Sequence, residues 1–458
     1  MTIRTAILGS AVFLALGGYT VLSGLPVVGG IFEVPTAAAQ SDEKKKRNTK
    51  EVDSLRQAVY EDIAEAQAKI TPPEGETTTP EDVAEGVEDL QELLAEGDMN
   101  DYESAISLQI LAQQAIDDNK YKLAIQYFER ILNFERIPIG ITQGSLNVLG
   151  QLYFSLDDYD KAIEYTNKWL QMQDNPGPRP YEILSSAHYQ LENWDNVISY
   201  AQKAIEVARQ RGMEVKQNWY LLMRAGYFEQ ENFEKVAEVL EILAVNFDKP
   251  EYWRQLANVY SETAGSDKRL AAMEVAYRRG FLETESHYRT LAQLYLFMNT
   301  PIKAAWVMEE GMNEGIVEKD TENYELLGMA YLNASEDEKA QEPLRLAAEA
   351  KDDGELWLRL GQVYAGMEEW RSAIDPLQKA IDSDDLDEPG FAYFMLGQAY
   401  FNIEEFDDAR SAFREARKSD ETEDSARKWI DYVSREVKRR EQLSEYYGSD
   451  LKAGSGGE

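Results

Sequence analysis

The chain has no cysteine. Disulfides, thiolate chemistry and a lipid-modified cysteine are therefore excluded, while the compartment is left open. Histidine is nearly as scarce, with only His188 and His287. His188 stands where other copies of the pattern described below place Tyr153, Tyr260 or Tyr364, so packing accounts for it. His287, beside Tyr288, has no second ligand at helical spacing and reads as a surface residue. No H-E-x-x-H, phosphate-cradling glycine loop or serine-centred elbow occurs. The acidic run Asp382, Asp384, Asp385, Asp387, Glu388 lacks the glycine of a calcium loop and reads as a solvated turn. No catalytic residue, metal site or cofactor is expected, and an enzyme, or a regulatory subunit of one, is a remote reading.

Positive charge is also short. Forty-seven basic side chains face 84 acidic ones, for a formal net charge of −37. Such a body repels nucleic-acid phosphates and anionic membranes, which argues against both as partners. The basic residues gather at the two ends, in Lys44-Lys45-Lys46-Arg47 with Lys50, and in Arg427, Lys428, Arg435, Lys438, Arg439 and Arg440. They are solvated helix faces that keep a long array soluble, or they dock each end on a different acidic surface.

What the chain has is repetition. From about Tyr102 to Lys418 one pattern returns nine times at intervals of 33 to 39 residues, a period that marks stacked repeat arrays. It is cleanest at Tyr324, Leu327, Gly328, Tyr331, Ala340, Leu344 and Ala347, and again at Trp357, Leu360, Gly361, Tyr364, Ala373, Leu377 and Ala380. A third copy reads Tyr393, Leu396, Gly397, Tyr400, Ala409, Phe413 and Ala416. The first four residues are spaced i, i+3, i+4, i+7, one face of a helix. The last three form the apolar face of a second helix, and polar turns such as Gly366-Met367-Glu368-Glu369 separate the two. Each copy is a helical hairpin in which Gly361, Gly397 and Ala340 let two backbones approach. A hairpin this short cannot bury its apolar face alone, so neighbours must stack.

The motif W/Y-x-x-L-G-x-x-Y followed by A-x-x-x-L/F-x-x-A resembles the tetratricopeptide repeat. Looser copies stay in phase at Leu111 and Ala112, Leu149 and Gly150, Leu184 and Ser185, Met223 and Tyr227, Leu256 and Ala257, and Leu291 and Ala292. The expected fold is all-α, an α-solenoid over 102–419. A degenerate hairpin at 51–101 begins it, with Val52, Leu55, Val59 and Ile63 on one helix and Val83, Val87, Leu90 and Leu94 on the next. The Pro- and Thr-rich stretch 71–80 reads as the loop between them. A capping helix at 420–447 carries Ala426, Trp429, Ile430 and Val433, and 448–458 reads as a flexible tail.

At the other end, Arg4 precedes an uncharged apolar stretch from Thr5 to Phe32, then Ala37-Ala38-Ala39. Residues 1–39 resemble a secretory signal, followed by a basic linker at 40–50. The apolar stretch is also long enough to span a bilayer uncleaved. Retained as an anchor, it would be flanked by Lys44–Lys50, and the positive-inside rule would leave the repeats in the cytoplasm.

In tetratricopeptide arrays the first helix of each hairpin lines a groove, and by resemblance the fifth and ninth repeat positions face it. The ninth positions here are Gln113, Gln151, Ser186, Ala225, Asn258, Gln293, Met329, Gln362 and Gln398. An amide offers donor and acceptor together, so such a series could pair with the backbone of an extended peptide. The fifth positions add Arg254 and Arg289, two cations able to grip a carboxylate. Phe228, Phe297, Phe394, Phe401 and Tyr189 fall at or near the same face as candidate apolar anchors. The alternatives are polar helix formers on an exposed stripe and aromatics belonging to the core.

Gln217-Asn218-Trp219, Lys249-Pro250-Glu251-Tyr252-Trp253, Ala276-Tyr277-Arg278-Arg279-Gly280, Gly354-Glu355-Leu356-Trp357 and Val59-Tyr60 narrow the resemblance. These segments are similar to the bacterial tetratricopeptide proteins associated with TonB–ExbB–ExbD energy transduction. The resemblance implies a periplasmic, non-enzymatic protein with TonB, ExbB or ExbD as partner. A scaffold for outer-membrane, exopolysaccharide or cell-wall machinery is the alternative.

Overall fold

The computed structural model describes residues 52–73, 77–383, 385–387 and 389–453. The expected leader and basic linker, and the tail from 454 onward, lie outside them. Among the described residues there are 21 helices and no strand. They fall into two compact units, which meet in sequence at Lys249 and Pro250.

The first unit opens with α1 (Gln57–Ile70) and α2 (Pro80–Glu96). Four hairpins follow, built from α3 (Asp101–Asp117) and α4 (Tyr121–Ile131), α5 (Ile139–Ser155) and α6 (Tyr159–Gln171), α7 (Arg179–Gln190) and α8 (Trp194–Gln210), and α9 (Gln217–Glu229) and α10 (Phe233–Phe247). The second unit holds five more: α11 (Pro250–Thr263) with α12 (Ser266–Arg278), α13 (Glu285–Phe297) with α14 (Pro301–Asn313), α15 (Thr321–Asn333) with α16 (Asp337–Lys351), α17 (Gly354–Gly366) with α18 (Trp370–Asp382), and α19 (Pro389–Asn402) with α20 (Phe406–Ala416). The last helix, α21 (Glu423–Ala453), closes it. Within each unit every helix packs chiefly on its neighbours in sequence. This is the serial hairpin packing of the α-solenoid class.

Three local features make the hairpins. The first is the close approach at the glycine. A Cβ on Gly150, Gly328, Gly361 or Gly397 would lie within 3 Å of Thr166, Leu344, Leu377 or Phe413 respectively, always the side chain sixteen residues later on the facing helix.

The second is the turn. Asn119, Asp157, Glu192, Glu231, Asn299, Ser335, Glu368 and Glu404 all sit at positive φ, between 53° and 68°. The next residue in each case donates its N–H to a carbonyl five residues back, as Glu369 does to Tyr364 at 2.9 Å and Glu405 to Tyr400 at 2.9 Å. That bond satisfies an otherwise orphaned C-terminal carbonyl of the first helix.

The third is a ring clasp across the turn at a spacing of five. Phe154–Tyr159, Tyr189–Trp194, Phe228–Phe233 and Phe401–Phe406 meet edge-on, with centroids 5.5 to 5.9 Å apart. Each clasp fixes the angle at which the second helix departs.

Hairpins are joined through the tyrosine that follows the glycine. The Tyr153 hydroxyl donates to Glu129 at 2.5 Å and that of Tyr331 to Glu309 at 2.7 Å, both carboxylates lying on the second helix of the preceding hairpin. Lys161, Lys268, Lys303 and Lys339 lie over the rings of Tyr153, Tyr260, Tyr295 and Tyr331, each eight residues earlier, at 4.6 to 5.6 Å. Burial, with the carboxylate of Glu274, pushes the Tyr295 hydroxyl up to about 12.

The ends differ from expectation in two places. Val52 and Leu55 precede the helix, which starts at Gln57. The segment before it is held as a strap: Asp53 N–H donates to the Arg136 carbonyl at 3.0 Å, and the Asn100 side chain donates to the Ser54 carbonyl at 2.9 Å. Arg56 ties the strap down through Glu103, which is wholly buried, with its Nη2 at 2.6 Å and its backbone N–H at 2.8 Å. Burial pushes Glu103 up, but Arg56 and the Asn100 N–H together hold it below the usual carboxylate range. Pro80 is not loop but the first residue of α2, capped by Thr79 and Asp82. At the far end α21 runs on to Ala453 instead of stopping at 447.

Candidate protein-binding face

Successive first helices within a unit are stitched by polar contacts near their N-termini. The Asp101 carboxylate accepts from the backbone of Glu135 and Arg136 ahead of α5, at 3.1 and 3.0 Å. Gln143 on α5 donates to the Met172 carbonyl ahead of α7 at 2.9 Å. In the second unit the Glu285 carboxylate accepts from the Glu318 N–H at 3.1 Å. The Gly354 N–H donates to Asp385 at 2.9 Å. The acidic turn is therefore a structural joint and not merely solvated, and the Ser383 hydroxyl and the Gly354 N–H hold the Asp385 carboxyl below its ordinary range. Once core, clasp and stitch are assigned, a first helix has one free side, and its chemistry decides what the array can hold.

Two family models for the tetratricopeptide repeat match the chain, over residues 144–176 and 358–424. These segments are similar to tetratricopeptide repeats. They contain most of α5 with all of α6, and most of α17 with all of α18, α19 and α20. Among solved structures, a crystal structure of MamA is 22% identical, with 37% of this chain and 97% of that chain covered and a TM-score of 0.31. A second MamA structure, from AMB-1, is 17% identical over 38% of this chain and 92% of that one, with a TM-score of 0.33. MamA from Desulfovibrio magneticus is 17% identical over 37% and 94%, at 0.31. No curated protein matches the chain.

Repeat positions now fix where each candidate residue stands. Of the six ninth-position amides, Asn258 and Gln293 are exposed, and neither side chain has a hydrogen-bond partner among the described residues. Gln398 is half-buried and likewise unpaired. Gln113 is occupied locally, donating to Asp117 at 2.9 Å, and Gln362 accepts from Arg359 at 3.4 Å. Gln151 is a correction. It is 2% exposed, donates to the Asn147 carbonyl at 3.1 Å and accepts from Arg179 on the next first helix at 2.8 Å. It stitches repeats and offers nothing outward.

The two arginines are also committed. Arg254 donates to the Phe281 carbonyl at 3.2 Å and to Glu283 at 3.3 Å. Arg289 donates to Glu322 at 3.2 Å and to Asn323 at 3.1 Å. Each reaches from its own first helix to the entrance of the next, so a partner carboxylate could bind only by displacing Glu283 or Glu322. The sequence signal was an acidic residue 29 or 33 positions downstream, one repeat away.

The aromatics divide. Phe394 packs edge-on against Phe413 at 5.6 Å, and Phe401 touches Phe406, Trp429 and Tyr432. Both seat α21 and are not free anchors. Phe228 and Tyr189 are turn clasps. Phe297 alone among these candidates stands open, 75% exposed, one turn beyond Gln293 on α13.

Both histidines are engaged in packing. His188 is stacked on Tyr200 at 5.5 Å, and burial lowers its pKa. His287 is half-buried and not a free surface residue; it accepts from the Glu283 N–H at 3.4 Å, with burial and then Arg254 pushing its pKa down. Among the described residues no group of His, Asp or Glu is placed to hold a metal ion.

Proposed function

We propose that the protein is a non-enzymatic scaffold that holds a segment of another polypeptide along the first-helix face of its repeats. The observation that carries this reading is the pair Asn258 and Gln293. They stand at the same repeat position on consecutive hairpins, are exposed and are unpaired. An amide at a regular interval presents donor and acceptor to an extended backbone, and Phe297 beside Gln293 adds an apolar contact. Tetratricopeptide repeats are a protein-binding architecture, and the acidic body with its net charge of −37 selects a basic or neutral partner.

The finer reading places the protein in the bacterial periplasm as an accessory to TonB-dependent energy transduction, with TonB or an ExbB or ExbD component as partner. Its support is the set of segments around Trp219, Trp253, Arg278 and Trp357 quoted above. A basic, Pro-rich partner such as TonB suits the acidic exterior. Pull-down from envelope extracts tests it: recovery of a TonB-system component is expected, with loss in an Asn258→Ala, Gln293→Ala, Phe297→Ala variant. Recovery of none, from protein with intact helical circular dichroism, removes the TonB reading. N-terminal sequencing after fractionation tests the location, with a start at Gln40 in the periplasmic fraction expected.

A further inference from the structure

The closing helix is chemically unlike the rest of the molecule. Its buried side is made by Ala426, Trp429, Val433 and Val437, which cover Phe413 and Phe401. The outward side carries Lys428, Arg435 and Arg439 at i, i+7 and i+11, a stripe along about 16 Å of helix, with the half-exposed Tyr432 at i+4, whose ring also packs on Phe401 and Trp429. Lys438 flanks it. Lys428, Arg435 and Lys438 are exposed, and none has an ion-pair partner among the described residues. Arg427 is paired with Asp424 at 2.5 Å and Arg439 with Glu436 at 2.6 Å. Arg440 belongs to the seat, bridging Glu404 and Glu436 at 2.8 Å each. Asp431 and Asp424 are the acidic side chains on the same outer side, Asp424 being paired with Arg427. Tyr432 is 46% exposed in the middle of this basic stripe.

We infer that the outward side of α21 is a second docking surface, fitted to an acidic helix of a protein partner and distinct from the first-helix face. Charge complementarity names the occupant. Carboxylates at i, i+7 and i+10 on one helix meet Lys428, Arg435 and Lys438, with an apolar residue at i+4 over Tyr432. A second copy of α21 is disfavoured, because it would set like charges against each other. A flat anionic bilayer or a nucleic acid is disfavoured too. The stripe is only about two Debye lengths long at physiological salt, so an extended polyanion meets the acidic body around it. A partner helix stays within the basic strip.

The test uses the full-length protein. It is titrated with a fluorescent synthetic helix that carries glutamate at i, i+7 and i+10 and leucine at i+4 on an alanine–glutamine background, and separately with vesicles of phosphatidylcholine and phosphatidylserine. Peptide binding is expected at low salt and is expected to weaken at high salt. In Lys428→Gln, Arg435→Gln, Lys438→Gln it should fall by about tenfold, the combined worth of three exposed charge pairs. The helical melt of that variant should be unchanged. A milder single variant, Arg435→Gln, gives the same direction should the triple variant unfold. Absence of peptide binding at low salt, or binding that these substitutions leave intact, overturns the inference. Vesicle binding abolished by the same substitutions also overturns it, by assigning the stripe to a lipid surface.

Discussion

One substitution should have opposite signs at two glycines. In a helix interior, Gly→Ala is worth about 0.5–1 kcal/mol in favour of alanine through backbone entropy alone. At Gly144 on α5 a Cβ meets nothing within 4 Å, so that gain should appear undiminished. At Gly361 the same atom lands 2.6 Å from Leu377 Cδ2 and 2.7 Å from its Cγ. Leu377, on α18, is 0% exposed, so its side chain must shift inside the core to admit the new methyl. Overpacking of this kind costs about 1–3 kcal/mol, so Gly361→Ala should destabilise by roughly 1–2 kcal/mol after the entropy gain is deducted. Removing the obstacle tests the cause. Leu377→Ala alone should cost about 2–5 kcal/mol, yet adding Gly361→Ala to it should cost nothing further, because the new methyl enters the cavity. Urea unfolding followed by circular dichroism reads all four corners of this cycle. A Gly361→Ala protein as stable as Gly144→Ala, or strictly additive costs in the double variant, would refute the close approach.

Other outcomes follow from the same geometry. Glu368 holds φ at 61° in the α17–α18 turn, so Glu368→Gly should raise stability by about 0.5–1 kcal/mol in the same unfolding assay. Tyr331→Phe removes the 2.7 Å bond to Glu309 but keeps the ring, and should cost about 1–2 kcal/mol. The Glu436 carboxyl, gripped by Arg439 and then Arg440, is held down to about 2. A folded value below the unfolded one stabilises α21 fully above about pH 4.5 and progressively less as the pH falls towards the folded value. Glu436→Gln should therefore flatten the acid dependence of Trp429 fluorescence over that range. Arg254→Ala with Arg289→Ala should cost at most about 1 kcal/mol per ion pair while weakening capture of a partner whose carboxylate displaces Glu283 or Glu322. Unchanged capture would remove both arginines from the binding face.

The hairpin count and phase were legible because spacing at i, i+3, i+4, i+7 states directly which residues share a helix face. Gly361 with Leu377 and Gly397 with Phe413 follow from that register. The turns were less legible. Glu192, Glu231, Glu368 and Glu404 occupy a conformation that favours glycine, and nothing in a glutamate announces it. The clasps are visible as aromatic pairs at a spacing of five, yet on a single helix Phe401 and Phe228 fall at the same face as groove anchors would. Gln151, Arg254 and Arg289 are each engaged by a neighbouring repeat for one physical reason. A face position is outward only if the next repeat does not reach back for it, and that contact spans roughly one repeat length of sequence. The strap at Asp53 to Arg56 carries a misleading signal, because Val52 and Leu55 continue the helical spacing of Val59 and Ile63, while the segment is held by backbone groups and by the buried Glu103.

The central claim is that the first-helix side of the repeats holds another protein. A photo-crosslinking residue placed at Gln293, at Asn258 and at the exposed Glu338 on α16 tests it directly in living cells. The account predicts a covalent adduct with the same second polypeptide from positions 293 and 258, and none from 338. No adduct from 293, or the same adduct from 338, would contradict it.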